Sequence, residues 1–220
     1  MEALFELRGT YKKPFSLVPG IIADALVEEY PEAVETELAQ FGAMVQPSIE
    51  APLFITHQFK TSDGKRLVQI GSAGIAVNTL SYGGFDRFRA SIVSALEVYF
   101  RLAMVEKVSR IGLRYLNRLP QSDANFLSGL TVKLEWPDLP SSNPVALAAR
   151  MVFAYDDPPG QLAAAISRPS DGATLDLDFQ CKIEESFTHG QVLKWIDKAH
   201  DRIYEAFTVL VSQSLLDSWK

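Results

Sequence analysis

Between Arg110 and Pro120 the chain reads RIGLRYLNRLP. In an extended backbone, residues of equal parity share a face. Arg110, Arg114 and Arg118 therefore point one way with Gly112 and Leu116, and Ile111, Leu113, Tyr115, Asn117 and Leu119 point the other. The first face is cationic. Arginines four residues apart are separated by about 13 Å along a strand, so an extended anion or separate acidic groups fit this row better than one small anion. Asp176 and Asp178 share one face of another β-rich run, opposite Leu175, Leu177 and Phe179, and would neutralise the arginines if the two runs were neighbours. Two readings of the row stand: an internal salt-bridged scaffold, or a surface for an anionic ligand or acidic partner. Arg87 and Arg89, at the start of a helical segment, are candidate contributors to that surface. Asn117 lies on the more apolar face, where a buried amide needs partners; tying the strand end to a loop would supply them.

Other chemistries find little support. His57 alternates within a β-rich run, and His189 and His200 stand about 16 Å apart along one helix, too far to share a metal. GSAGIA follows a strand but lacks the G-x-G-x-x-G order and leads into another strand, so it reads as a hairpin turn. No G-x-x-x-x-G-K-[ST] and no G-x-S-x-G occurs. The acidic pairs Asp156/Asp157, Asp176/Asp178 and Glu184/Glu185 read as solvated carboxylates, and no cofactor or metal is expected. Trp195 belongs to the apolar stripe of the last helix, and Trp136, before a proline, is a candidate partner contact.

The elements that must position these residues follow an order. ALFELRGTY is a strand, and helix is expected from about Ile21 to Leu38 with a break at Pro31. LFITHQF, RLVQI and IAVNTL are three β-rich runs separated by SDGK and GSAG, an antiparallel meander. Phe85, Phe88, Ile92, Leu96, Tyr99 and Ala103 then recur at helical spacing. The arginine strand follows, with a short turn or helical piece around SDANFLSG, the segment LTVKLEW and a loop over Pro137–Pro144. ALAARMVFAY, QLAAAISR and ATLDLDFQCKI are three more β-rich runs, and a helix is expected from His189 to about Trp219.

Two β-α-β-β-β-α pseudo-repeats, about 1–106 and 107–220, are therefore expected to fuse into one α+β domain, 1–220. One curved antiparallel sheet would carry the long helices on one face, as in the saddle of TATA-binding-protein-like folds; a helix-grip sheet is the alternative. RIGLRYLNRLP also resembles, through Arg114, Tyr115, Asn117, Arg118 and Leu119, the Arg-Tyr-x-Asn-Arg-(Ile/Leu) signature of a sporadically distributed, functionally uncharacterised prokaryotic family. Members of that family are somewhat longer, with isoleucine commoner at the last position. The resemblance implies likeness over nearly the whole chain and carries no activity with it.

Composition sets the outer bounds. The chain has 220 residues, 47% apolar and 22% charged, enough for a substantial core, and the single Cys181 excludes a disulfide framework. Glu2 and Glu6 stand where a signal peptide would be basic, and no apolar run reaches bilayer length, so a cytoplasmic protein without membrane contact is expected. The net charge of −6 hides a segregation: residues 1–50 carry −6, residues 51–120 carry +6 and residues 121–220 carry −6. The basic middle favours an anionic ligand or acidic protein partner, with nucleic acid the weakest of the partner classes. These features describe a non-enzymatic binding protein whose candidate residues are Arg110, Arg114, Tyr115, Asn117, Arg118, Arg87 and Arg89. A pocket between sheet and helix, lined by Tyr115, Asn117 and His57, is the small-molecule or enzymatic alternative.

Overall fold

The computed structural model describes residues 1–40, 54–102, 105–119, 130–131, 147–168, 173–184 and 187–218. In chain order the elements are β1 (Glu2–Tyr11), a 3-10 turn (Phe15–Leu17), α1 (Val18–Leu26), β2 (Glu32–Gln40), β3 (Phe54–Lys60), β4 (Arg66–Gly71), β5 (Gly74–Thr79) and α2 (Phe85–Arg101). They continue with β6 (Val105–Leu119), β7 (Leu147–Asp156), β8 (Pro159–Arg168), β9 (Ala173–Lys182), α3 (His189–Leu210) and α4 (Gln213–Ser218). The nine strands form one antiparallel sheet in the order β2-β3-β4-β5-β1-β6-β9-β8-β7, making the molecule α+β.

Alternation decides which side of the sheet each residue serves. Ala3, Phe5 and Leu7 of β1 are buried and lie in register with Thr79, Val77 and Ile75 of β5 and with Tyr115, Leu113 and Ile111 of β6. This row continues through Leu177 and Phe179 of β9 to Leu162, Ala164 and Ile166 of β8. The helices cover it. Ile22 and Leu26 of α1, Phe88, Ile92, Leu96 and Tyr99 of α2, and Val192, Trp195, Ile196 and Ile203 of α3 join the same core. Their spacing of three and four residues places them on one stripe of each helix, so helical period and sheet period meet at a single interface. The opposite face of the sheet carries none of these helices.

Local chemistry ends the elements. In the β3–β4 turn, Thr61 Oγ1 donates to Asp63 Oδ1 at 2.6 Å and Gly64 takes φ +65°, a conformation glycine adopts without Cβ strain. Gly74 opens β5 at φ +155°, and a Cβ there would stand 2.1 Å from the Leu7 carbonyl oxygen, so the close approach of β1 requires glycine. Helix α3 starts with a capping box: Gln191 N–H donates to Thr188 Oγ1 at 3.3 Å, and Thr188 N–H donates to Gln191 Oε1 at 2.8 Å. It ends at Leu210 because Val211 is extended and bridges Leu130, so the single helix expected to Trp219 is divided into α3 and α4.

The largest departure from expectation is Glu32–Gln40, placed in a helix by sequence and found as strand β2. Val34 and Leu38 are spaced as one turn of helix, but Pro31 interrupts that pattern, and the segment completes the outer edge of the sheet against β3. Glutamates on an outer strand also oppose unwanted pairing with another chain. Four strands therefore lie between α1 and α2, one more than the expected unit contains. SDANFLSG, most of LTVKLEW, the loop over 137–144, and Trp136 and Trp219 lie outside the described residues.

Candidate functional site

The arginine segment is the central strand β6, between β1 and β9. Glycine and leucine alternate with its arginines, and the intervening Ile111, Leu113 and Tyr115 bury themselves under the helices. Arg110, Gly112, Arg114, Leu116 and Arg118 consequently emerge on the face opposite α1, α2 and α3. The same row logic brings Glu2, Leu4, Glu6 and Arg8 of β1 and Thr174, Asp176, Asp178, Gln180 and Lys182 of β9 to that face.

A network of ion pairs fixes the inner part of the row. Arg114 is bidentate: Nε donates to Asp176 Oδ1 at 2.8 Å and Nη2 to Asp176 Oδ2 at 2.6 Å. Burial, the largest single influence, would lower the pKa of Arg114, but the Asp176 bond and the charges of Asp176, Asp178 and Glu6 together hold the guanidinium above its ordinary value. Arg110 Nη1 donates to Glu6 Oε1 at 2.8 Å and its Nη2 bonds Gln180 Oε1, while Arg8 shares the same carboxylate, its Nε also on Oε1 and its Nη2 on Oε2 at 3.4 Å. Asp178 behaves differently. Burial pushes its carboxyl pKa up, against the pull of Arg114 and Arg110, with Asp176 and Glu6 adding to the rise.

Arg118 stands outside this network. Its side chain is 77% exposed, and its Nη2 reaches Glu2 Oε1 at 3.3 Å, a contact of little energetic weight at such exposure. Arg150 of β7, which sequence reasoning passed over, is exposed on the same face, because it lies in register with Ala165, which opposes Asp176. It makes no ion pair among the described residues. Between the two arginines lie small and hydroxylated side chains, with Ser167 Oγ and Thr174 Oγ1 bonded to each other at 2.6 Å. The signal for Arg150 was the alternation of ALAARMVFAY, readable only once β7 was known to share a sheet with β6.

The remaining candidates are not brought to this face. Arg89 of α2 pairs with Asp197 of α3 at 2.5 and 3.0 Å and ties the two helices together. Arg87 lies on the helix side, against Gly83. Tyr115 is buried, its hydroxyl 3.1 Å from His200 Nδ1, and its ring meets Tyr82 edge-on. Its pKa is raised by burial. His200 also stacks on Phe85, and burial lowers its pKa against the opposing pull of Asp201, Asp197 and Asp86. Asn117 Nδ2 donates to the Leu175 carbonyl at 3.1 Å, so it ties β6 to its neighbour β9. On the helix side of the sheet Phe5, Val77, Leu113 and Phe179 are fully buried in one core cluster.

Among the described residues no three His, Cys, Asp or Glu side chains gather as metal ligands, and no helix is long and apolar enough to cross a membrane. Comparison with protein-family models gave no match, and neither did comparison with curated proteins.

Proposed function

We propose that this chain is a cytoplasmic, non-enzymatic binding protein that docks an extended anionic ligand, most simply an acidic segment of a partner protein, on the face of β6, β9, β8 and β7 opposite α1, α2 and α3. The observation that carries this reading is the division of labour in the arginine row. Arg110 and Arg114 are held in place by carboxylates, whereas Arg118 and Arg150 are exposed at opposite margins of a surface of small residues. Three strand spacings separate β6 from β7, on the order of 14 Å. An extended chain bearing two or more carboxylates spans that width, and a small ion does not.

We propose in addition that the chain is an internal duplication. Outward from the central β1–β6 pair, β5-β4-β3 on one side mirrors β9-β8-β7 on the other, and each series ends in a long helix. This supports two pseudo-repeats in a TATA-binding-protein-like saddle over the helix-grip alternative. Membership of the family with the Arg-Tyr-x-Asn-Arg signature is proposed on Arg114, Tyr115, Asn117 and Arg118 alone.

The test is fluorescence anisotropy with a labelled oligoglutamate at low salt, comparing wild type with Arg118→Glu plus Arg150→Glu. The proposal expects at least a tenfold loss, roughly 1.4 kcal/mol or more, with unchanged thermal unfolding. Equal affinity in the two proteins contradicts it, as does a clear preference for random DNA over the peptide.

A further inference from the structure

A second set of cations lies on the other side of the sheet. The β3–β4 turn and the link between β5 and α2 enclose a recess of about 360 Å³, at the small end of ligand pockets. Its lining includes Lys65, Arg66, Arg87, Ser91, Thr79 and Asp63. Arg66 and Thr79 are register partners, and Thr79 opposes Ala3 of the core row, which places the recess on the helix-bearing side.

The recess is built in layers. Ser91 and Thr79 are buried hydroxyl residues, 4% and 7% exposed. Thr79 Oγ1 donates to the Ser81 carbonyl at 3.1 Å, and Ser91 Oγ lies 3.4 Å from the Arg87 carbonyl, so both hydroxyls face acceptors of this chain. Arg66 is oriented by Glu29 at 2.6 Å and by Ser91 Oγ at 3.3 Å, over the ring of Tyr30. Its charge is therefore met within the chain. Lys65 and Arg87 form no ion pair among the described residues. Asp63 is held by Thr61 Oγ1 and by the Lys65 amide, which lower its pKa and keep it ionised on one wall. Lys65 and Arg87 outnumber it, leaving a cationic excess carried by N–H donors, with Asp63 Oδ2 as the one carboxylate oxygen of the lining that neither bond uses.

Such donors match a compact oxyanion with several acceptor oxygens, and the volume is ample for one phosphoryl group with a substituent. We infer that this recess is a phosphoryl-anion site, with Lys65 and Arg87 as its ligands and Arg66 as a fixed wall. Inorganic phosphate and a phosphate monoester share the recognised chemistry. The size of the recess leaves room for the monoester's substituent.

Isothermal titration with inorganic phosphate, and separately with O-phosphoserine, tests this in wild type, Lys65→Gln, Arg87→Gln and Arg118→Gln. Both side chains are exposed, so these variants keep the fold, and circular dichroism melts check that. Saturable binding in wild type, weakened roughly tenfold by each of Lys65→Gln and Arg87→Gln and unchanged by Arg118→Gln, is the expected result. Tighter binding of O-phosphoserine assigns the site to a monoester, and equal binding assigns it to free phosphate. No saturable binding of either anion to wild type, or binding unaffected by the Lys65 and Arg87 variants, overturns the inference. Because Arg118 faces the opposite side, failure here leaves the acidic-partner surface standing, and the reverse also holds.

Discussion

Arg114 lies directly across from Asp178 in the β6–β9 register, yet its guanidinium makes both of its bonds to Asp176, two residues earlier on β9. The cation thus chooses between two carboxylates on one face, and the one it passes over is left with a raised pKa.

That choice makes the pair asymmetric. Asp176→Asn removes the present partner but leaves Asp178 in register to replace it. Arg114→Met instead leaves two carboxylates close together without their nearest cation. Urea unfolding should therefore show a loss of about 3 kcal/mol for Arg114→Met and about half that for Asp176→Asn. Equal losses would mean that Asp178 does not substitute.

Asp178 also sets a pH dependence. Its pKa is raised in the folded state, first by burial, so the native protein holds this proton more tightly than the unfolded chain does. The resulting stabilisation is present below the unfolded value near 4 and is lost as pH rises through the folded pKa. Asp178→Asn abolishes that loss. The variant should melt above wild type at pH 7, with the gap closing as the pH approaches 4; a variant that melts lower at pH 7 would contradict the sign.

His200 gives the opposite slope. Burial lowers its folded pKa, so protonation favours the unfolded chain, and its contribution is present above the unfolded value near 6.5 and lost as pH falls through the folded one. Nuclear magnetic resonance titration should place the imidazole transition below that of a free histidine side chain. A midpoint at or above the ordinary value would mean that Asp197 and Asp201 outweigh burial.

Gly74→Ala tests the backbone argument. A methyl group there meets the Leu7 carbonyl and forces β5 away from β1, so a loss of roughly 3 kcal/mol is expected in chemical denaturation. A loss under about 1 kcal/mol would show that the turn relaxes cheaply.

Local pattern carried much of the fold, for reasons these residues make plain. Phe88, Ile92, Leu96 and Tyr99 sit at helical spacing on a long amphipathic segment, and Ala3, Phe5 and Leu7 alternate strictly, so period alone places them. Glu32–Gln40 could not be placed that way, because its extended form is set by pairing with β3 across a long separation in sequence. The site divides similarly. Parity put Arg110, Arg114 and Arg118 on one face and Asp176 and Asp178 on one face of another run, but that the two runs are neighbours, and which carboxylate holds Arg114, depends on strand order, register and side-chain reach. Arg150, and the separation of Arg87 from the strand arginines, depend on strand order and on the covered face, neither of which any short window of sequence contains.

The acidic-partner surface is tested most directly by arginine-detected nuclear magnetic resonance during titration with oligoglutamate. Selective perturbation of the Arg118 and Arg150 side-chain signals, with Arg89 unmoved in its pair with Asp197, is the predicted result. Perturbation confined to Arg87 and Arg66, or none at any arginine, would contradict it.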